Sequence, residues 1–249
     1  MLRSTNRVCS ALVVLVGLFV VDVSLASAGP WVPAAGESYT QAGLSFTHAT
    51  DRREYLLNFY GEFGIYERLA VIVGVPIKYL DRTAPSPTGD PQGSFFALSP
   101  SVGLRYQLTR GRVALALQED VTIPFAGGSF NLTSQFFAGA SLGSSGRGFV
   151  QGMGGFRLRS GEDAHEALWS ADVGAWLTSG MLAMATYRGR WQVGTDREAE
   201  FADREHQLGG QLIVRLNEEL SLGAEVIQTL RTESVPRSTT ATLYIARRH

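Results

Sequence analysis

Of the 249 residues only one is cysteine, Cys9, and four are histidine. No apolar run reaches the roughly 18 residues that a helix needs to cross a bilayer. Cys9 precedes the apolar stretch Ala11 to Val21, which reads with Arg3, Arg7 and the small-residue site Ala26-Ser27-Ala28 as a secretory signal cleaved after Ala28. A lipid-anchoring cysteine would follow the apolar stretch, so Cys9 is not in the place for one. The expected mature chain, residues 29–249, then has no cysteine, which excludes disulfides, thiolate metal sites and a thiol nucleophile. A basic excess is absent as well. Lys and Arg number 22 against 23 Asp and Glu, and setting aside Arg3, Arg7 and Asp22 leaves a net charge of −2. Nothing here points to nucleic acid. No Pro/Ser-rich linker divides residues 29–249, and neither metal-ligand spacing nor a phosphate loop occurs in them, so one domain without a cofactor is expected.

What the chain does contain is period-two alternation. From Glu54 to Ile65 the odd positions Tyr55, Leu57, Phe59, Phe63 and Ile65 are apolar, while Glu54, Asn58, Tyr60 and Glu62 occupy the even ones. After Tyr66-Glu67-Arg68, Leu69, Val71, Val73, Val75, Ile77 and Tyr79 share a face opposite Ala70, Gly74 and Lys78. In the next segment Phe96, Leu98, Val102, Leu104, Tyr106 and Leu108 stand opposite Ser99, Ser101, Gly103, Arg105 and Gln107. The same rhythm places strands at Thr40 to His48, Val113 to Phe125, Ser134 to Gly143, Gly148 to Arg159 and Ala167 to Leu177. It continues at Met181 to Trp191, Glu205 to Leu216, Leu220 to Leu230 and Thr239 to Ala246. The connectors alternate too: 49–53, 81–94, 126–133, 160–166, 192–204 and 231–238 are each longer than any of 66–68, 109–112, 144–147, 178–180 and 217–219.

Long and short connectors in turn, between about twelve strands, predict an all-β fold: a closed up-and-down antiparallel transmembrane β-barrel with tight periplasmic turns and longer outer loops. The polar face separates this from a soluble barrel. It carries charges that could not form a dry core unless paired, so it suits a wet or ion-paired lumen while the apolar face meets lipid. Closure also satisfies the backbone groups that lipid cannot hydrate. The expected partners are the bilayer of the outer membrane, the barrel-assembly machinery and a small solute.

The candidate functional set is lumenal. Glu54, Glu62, Lys78, Arg105, Asp120, Arg157, Arg159, Asp172, Arg188, Arg215 and Glu225 are expected to line the interior, with Arg190 and Glu205 beside them. Either they shape a selective path, or they lock the lumen with ion pairs. Twelve strands lie between the side-chain-filled eight and the open sixteen. Glu119 is a misfit, because strict alternation aims it at lipid beside Leu117 and Val121; a bulge or a rim position is expected there. Tyr79, Phe95, Phe125, Trp169 and Trp191 fall at strand ends, as interfacial aromatics do. The charged connector 192–204 has room for a short helical turn.

Three motifs invite a chemical reading and support it poorly. Gly139-Ala140-Ser141-Leu142-Gly143 has the nucleophile-elbow spacing, but no helical period follows it. His48 and His206 fall at outer strand ends and His165 in an outer loop, where a lipid hydrolase would hold a Ser–His arrangement. Asn131-Leu132-Thr133 matches a glycosylation sequon by chance.

Trp31-Val32-Pro33 with Gly36-Glu37-Ser38-Tyr39, Gly103-Leu104-Arg105-Tyr106 and Gly155-Phe156-Arg157-Leu158-Arg159 resemble the outer-membrane barrel family named for the meta-pathway of phenol degradation. That resemblance implies a barrel that passes small, often hydrophobic molecules, and no catalytic residues. Barrels of this kind commonly end on an aromatic residue that assists assembly, whereas this chain ends Tyr244-Ile245-Ala246-Arg247-Arg248-His249. The expected function is a passive channel or transporter in the outer membrane. A structural or adhesive barrel working through its outer loops is the first alternative, a rim-histidine lipid hydrolase the second.

Overall fold

The computed structural model describes residues 31–82, 93–125, 130–142, 147–160, 165–193, 204–231 and 237–249. The expected signal sequence and most of the connectors 81–94 and 192–204, with the helical turn anticipated in the latter, lie outside these residues.

Thirteen strands form one sheet. They are β1 (Ser38–Ala49), β2 (Arg52–Tyr66), β3 (Leu69–Arg82), β4 (Gly93–Leu98), β5 (Ser101–Thr109), β6 (Val113–Thr122) and β7 (Asn131–Leu142). They continue as β8 (Gly148–Arg159), β9 (His165–Trp176), β10 (Met181–Val193), β11 (Arg204–Arg215), β12 (Leu220–Arg231) and β13 (Ser238–Arg248). Each pairs antiparallel with its sequence neighbours, except that β4 and β5 pair with β3 and not with each other; β13 returns to β1, and β2 pairs with β3 to complete the ring. Because β4 and β5 both lie along β3 and act as one strand, the result is a closed twelve-stranded barrel. The non-aromatic ending does not weaken closure: β13 registers with β1 from Ser38's neighbour Tyr39, opposite Arg248, to Ala49, opposite Ser238.

The division of β4 from β5 departs from the continuous strand expected over Phe96 to Leu108, and two prolines explain it. Pairing with β3 stops at Gly74↔Ser101 and resumes at Ile77↔Leu98. Pro76 and Pro100 sit in that gap. Neither has a ladder donor, and Pro100 also restricts Ser99 before it. A single bond, Ser99 N–H to Pro76 O at 3.4 Å, spans the gap.

The two faces separate as the alternation requires. Leu44, Val102, Leu104, Leu117, Val173, Val226 and Leu243 are exposed on the outside. Ala70, Ile72, Ala114, Thr133 and Thr186 are buried inside. Across β1 to β4 an outer aromatic row runs in register, Phe46↔Tyr55↔Tyr79↔Phe96, with successive ring centroids 5.1, 6.1 and 4.9 Å apart. Phe96, not Phe95, continues this row; Phe95 registers with Leu80 on the inner parity and lies under the Arg82 guanidinium. On the far side Trp169 lies across Gly189, where a Cβ would come within 2.1 Å of its ring. Arg204 stacks over Trp191 at 5.0 Å. Both rows sit toward the long-loop rim.

Glu119 does face outward, and β6 has no bulge there: Leu104, Glu119 and Ser134 are in register. The Ser134 hydroxyl donates to its carboxylate at 2.6 Å, so a cross-strand hydrogen bond takes the place of the expected irregularity. The bulges lie elsewhere, at Gly64/Tyr66, Gln107/Thr109 and His206/Gln207.

This assignment of faces predicts opposite outcomes at adjacent positions. Asn58 lines the interior and Phe59 the exterior. Phe59→Asp should cost up to about 2 kcal/mol where the strand meets lipid and sharply lower the fraction that folds into vesicles. Asn58→Asp should fold as the parent does. Heat-dependent gel mobility measures both, and equal effects would mean that this assignment of faces is wrong.

Candidate functional site in the barrel lumen

Two cavities open in the lumen among the described residues. The larger, about 720 Å³, extends from the short-turn rim to the barrel's middle. On the side of β7 to β11 the lining mixes Phe137, Phe149, Trp176, Leu182, Met184 and Ile213 with Gln135, Gln151, Asp172, Thr186, Arg188, Gln211 and Arg215. The opposite wall is polar, with Tyr39, Gln41, Asn58, Tyr60 and Tyr244 from β1, β2 and β13. The smaller cavity, about 280 Å³, lies toward the long-loop rim and shares Gln135 and Arg188 with the larger. The two are therefore contiguous.

Glu62 and Arg105 form the most deeply buried pair, 0% and 3% exposed. Arg105 Nη1 donates to both carboxylate oxygens at 3.0 and 3.1 Å. Its Nε and Nη2 donate to Gln118 Oε1 at 3.0 and 2.7 Å, and its face rests on Phe137 at 4.8 Å. Tyr60 donates to Glu62 at 3.2 Å. The pair reaches across β3, where the small Ala70 leaves room at that level. Asp120 is tied into the same network, accepting from Gln118 at 2.9 Å.

Around Glu166 three guanidiniums converge: Arg157 at 2.8 Å, Arg159 at 2.8 Å and Arg190 at 3.3 Å. Arg190 Nε also meets Glu205 at 2.6 Å. Arg188 reaches Glu225 at 2.6 Å over the intervening β11. Lys78 pairs with Glu54 at 3.0 Å on the opposite wall. Asp172 accepts from Thr186 and, at 3.0 Å, from Gln151. Arg215 lies over Trp176 at 4.7 Å near the short-turn rim. These ion pairs join neighbouring or next-but-one strands, so each runs along the wall and none of them spans the lumen.

Glu166 is the site residue that alternation missed. The expected strand began at Ala167, leaving Glu166 in a connector, but β9 starts at His165. The signal was present: Glu166 shares parity with Leu168, Ser170 and Asp172. The inner face also carries tyrosines. Tyr39 packs edge-on against Tyr60 at 5.8 Å, and Gln211 donates to Tyr244 Oη at 2.7 Å.

The short-turn mouth is entered by the chain's own amino-terminal segment. Trp31, Val32 and Pro33 line the larger cavity there. Val32 N–H donates to Gln107 Oε1 at 3.4 Å. Gly36 N–H and Gly64 N–H exchange bonds with Gly64 O and Glu37 O, each at 2.9 Å. The segment thus docks on the bulges at Gly64 and Gln107, which re-aim the strand edge locally. Gly64 must lack a side chain, since a Cβ would lie 2.1 Å from Ala34 O.

The motifs with a chemical reading resolve structurally. Gly139 and Ser141 sit on the inner parity of β7, with strand on both sides of the connector. His165 opens β9 rather than lying in a loop, and its Nδ1 accepts from Arg159 N–H at 3.3 Å. His206 Nδ1 meets Tyr187 Oη at 2.6 Å beside Trp169. His48 stacks on Phe46. Among the described residues these contacts of His48, His165 and His206 involve Phe46, Arg159, Tyr187 and Trp169 and no serine. Nor do three or more His, Cys, Asp or Glu residues group there as metal ligands would. Asn131-Leu132-Thr133 is strand, with Thr133 buried and in contact with Arg157.

No protein-family model matches the sequence, and no curated protein is detectably similar to it. The resemblance to the phenol-degradation barrels therefore rests on its short motifs alone. Solved structures share the fold. An outer membrane channel from Pseudomonas putida F1 superposes with a TM-score of 0.68 at 12% identity, over 90% of this chain and 100% of that one. The NanC porin matches with a TM-score of 0.61 at 7% identity, over 84% and 98%. The translocator domain of the autotransporter NalP from Neisseria meningitidis matches at 0.53 and 8%, over 86% and 89%. At such identities the likeness is one of architecture: this chain has the fold of outer-membrane β-barrels, a fold that serves more than one function.

Proposed function

We propose that this protein is an outer-membrane barrel acting as a passive channel for small solutes, hydrophobic or amphipathic, with its short turns and both chain ends toward the periplasm. In this reading the signal sequence exports the chain, the barrel-assembly machinery inserts it, and the exposed apolar face partners the bilayer. The observation that carries the reading is the pair of contiguous lumenal cavities, sharing Gln135 and Arg188, with their ion pairs held along the wall. A lumen locked by its own charges would need bridges from one side to the other. The lining, which sets Phe137, Phe149 and Trp176 among glutamine, tyrosine and charged side chains, suits a small solute that carries both apolar and polar groups.

The test is conductance in a planar bilayer, using protein shown to be folded by its heat-dependent gel shift. Discrete single-channel steps are expected, together with swelling of proteoliposomes in a small uncharged solute. A folded barrel that passes neither ions nor solute would overturn the channel reading.

A further inference from the structure

The smaller cavity carries a chemical preference of its own. Its charged lining among the described residues is Arg157, Arg188, Arg190 and Glu205, three cations to one anion. The arginine side chains are 35%, 46% and 36% exposed, whereas their carboxylate partners are recessed: Glu166 at 0%, Glu225 at 12% and Glu205 at 16%. Glu205 is further occupied by Gln207 Nε2 at 2.7 Å and Thr229 Oγ1 at 3.5 Å. Glu166 lines neither cavity, Glu225 lines only the larger one, and Glu205 alone shares the smaller one with the three guanidiniums, so a solute there meets a mainly cationic surface even though the charges behind it nearly balance. Gln135 and Ser170 add neutral donors, and Met153 and Leu168 add an apolar flank.

We propose that this cavity is a recognition site for small organic carboxylates, with Arg157 and Arg188 as the residues that hold the carboxylate group. Planar guanidinium forks suit bidentate capture of a carboxylate. The three-to-one arrangement on Glu166 leaves Arg157 able to turn to a ligand, because Arg159 and Arg190 still neutralise the buried carboxylate. Asp172 lines only the larger cavity, where its Thr186 and Gln151 bonds hold it. The proposal rests on the lumen being open to solute, as the channel reading requires, but binding and conduction are separable measurements.

The experiment uses the folded barrel in detergent with butyrate as the probe, followed by isothermal calorimetry. The same protein in a planar bilayer under a potassium chloride gradient reports ion selectivity. Expected are saturable butyrate binding and a reversal potential favouring chloride. Arg157→Gln and Arg188→Gln should each weaken binding about tenfold, the loss of one charge-assisted contact, and move the reversal potential toward neutrality. Lys78→Gln, on the opposite wall, removes the same charge and should leave butyrate affinity unchanged. Equal loss in Lys78→Gln would show a generic charge effect and overturn the site, as would a parent protein that binds no butyrate. A barrel that binds butyrate through Arg157 and Arg188 but carries no current would keep the site and discard the channel.

Discussion

A barrel that begins at Gly36, without Trp31 to Ala35, is expected to conduct several-fold more current than the intact protein. The removed residues include three that line the larger cavity at the short-turn mouth, and current through a pore is set by its narrowest section. Strand pairing should survive, because β1 starts at Ser38 and its register with β2 and β13 does not involve the segment. Gly64→Ala offers an independent route to the same result. The new methyl group would lie 2.1 Å from Ala34 O and 2.7 Å from Pro33 O. Both are backbone atoms that cannot rotate away, so the segment must leave its seat. Raised conductance in both variants, with unchanged gel mobility, is the expected outcome. Unchanged conductance in both would show that Trp31 to Pro33 do not obstruct the mouth.

The second large effect is on stability. Arg105→Leu should destabilise the barrel by about 3–5 kcal/mol, the usual penalty for leaving a buried charge without its partner. Glu62 would keep only the Tyr60 hydroxyl among the bonds described above, in a position with no exposure at all. Glu62→Leu with Arg105→Leu should recover much of that loss, since apolar pairs of similar volume often replace buried ion pairs at little cost. The urea concentration at which the folded gel mobility disappears measures both. If Arg105→Leu unfolds like the parent, water reaches Glu62 and the pair contributes little.

Much of this architecture is legible in residue order. Alternation assigns the odd positions from Tyr55 to Phe63 and from Val71 to Tyr79 to the outside and Glu62, Arg105 and Arg157 to the inside, because a strand turns successive side chains to opposite faces. Two features escape it for local reasons. Pro100 reads as an ordinary position in an apolar run, and only the register shows that it falls with Pro76 of β3 in the stretch where pairing lapses between β4 and β5. Glu166 escapes because strand ends are where alternation fades, so a boundary two residues late removes the carboxylate that organises three arginines.

The period-two pattern and the rhythm of its connectors are properties of neighbouring residues, and they suffice for an all-β barrel with an apolar exterior and a charged lumen. Which charges meet is a different matter. Glu62 and Arg105 are 43 residues apart and Arg188 and Glu225 are 37 apart, and each pair reaches over an intervening strand. Register, tilt and closure decide those meetings, and no local signal carries them. The same holds for the segment before β1: Trp31-Val32-Pro33 carries no strand pattern, and only the bulged rim at Gly64 and Gln107 turns it into the lining of a mouth. Faces follow from the covalent geometry of a strand; partners across the lumen wall follow from how the sheet closes on itself.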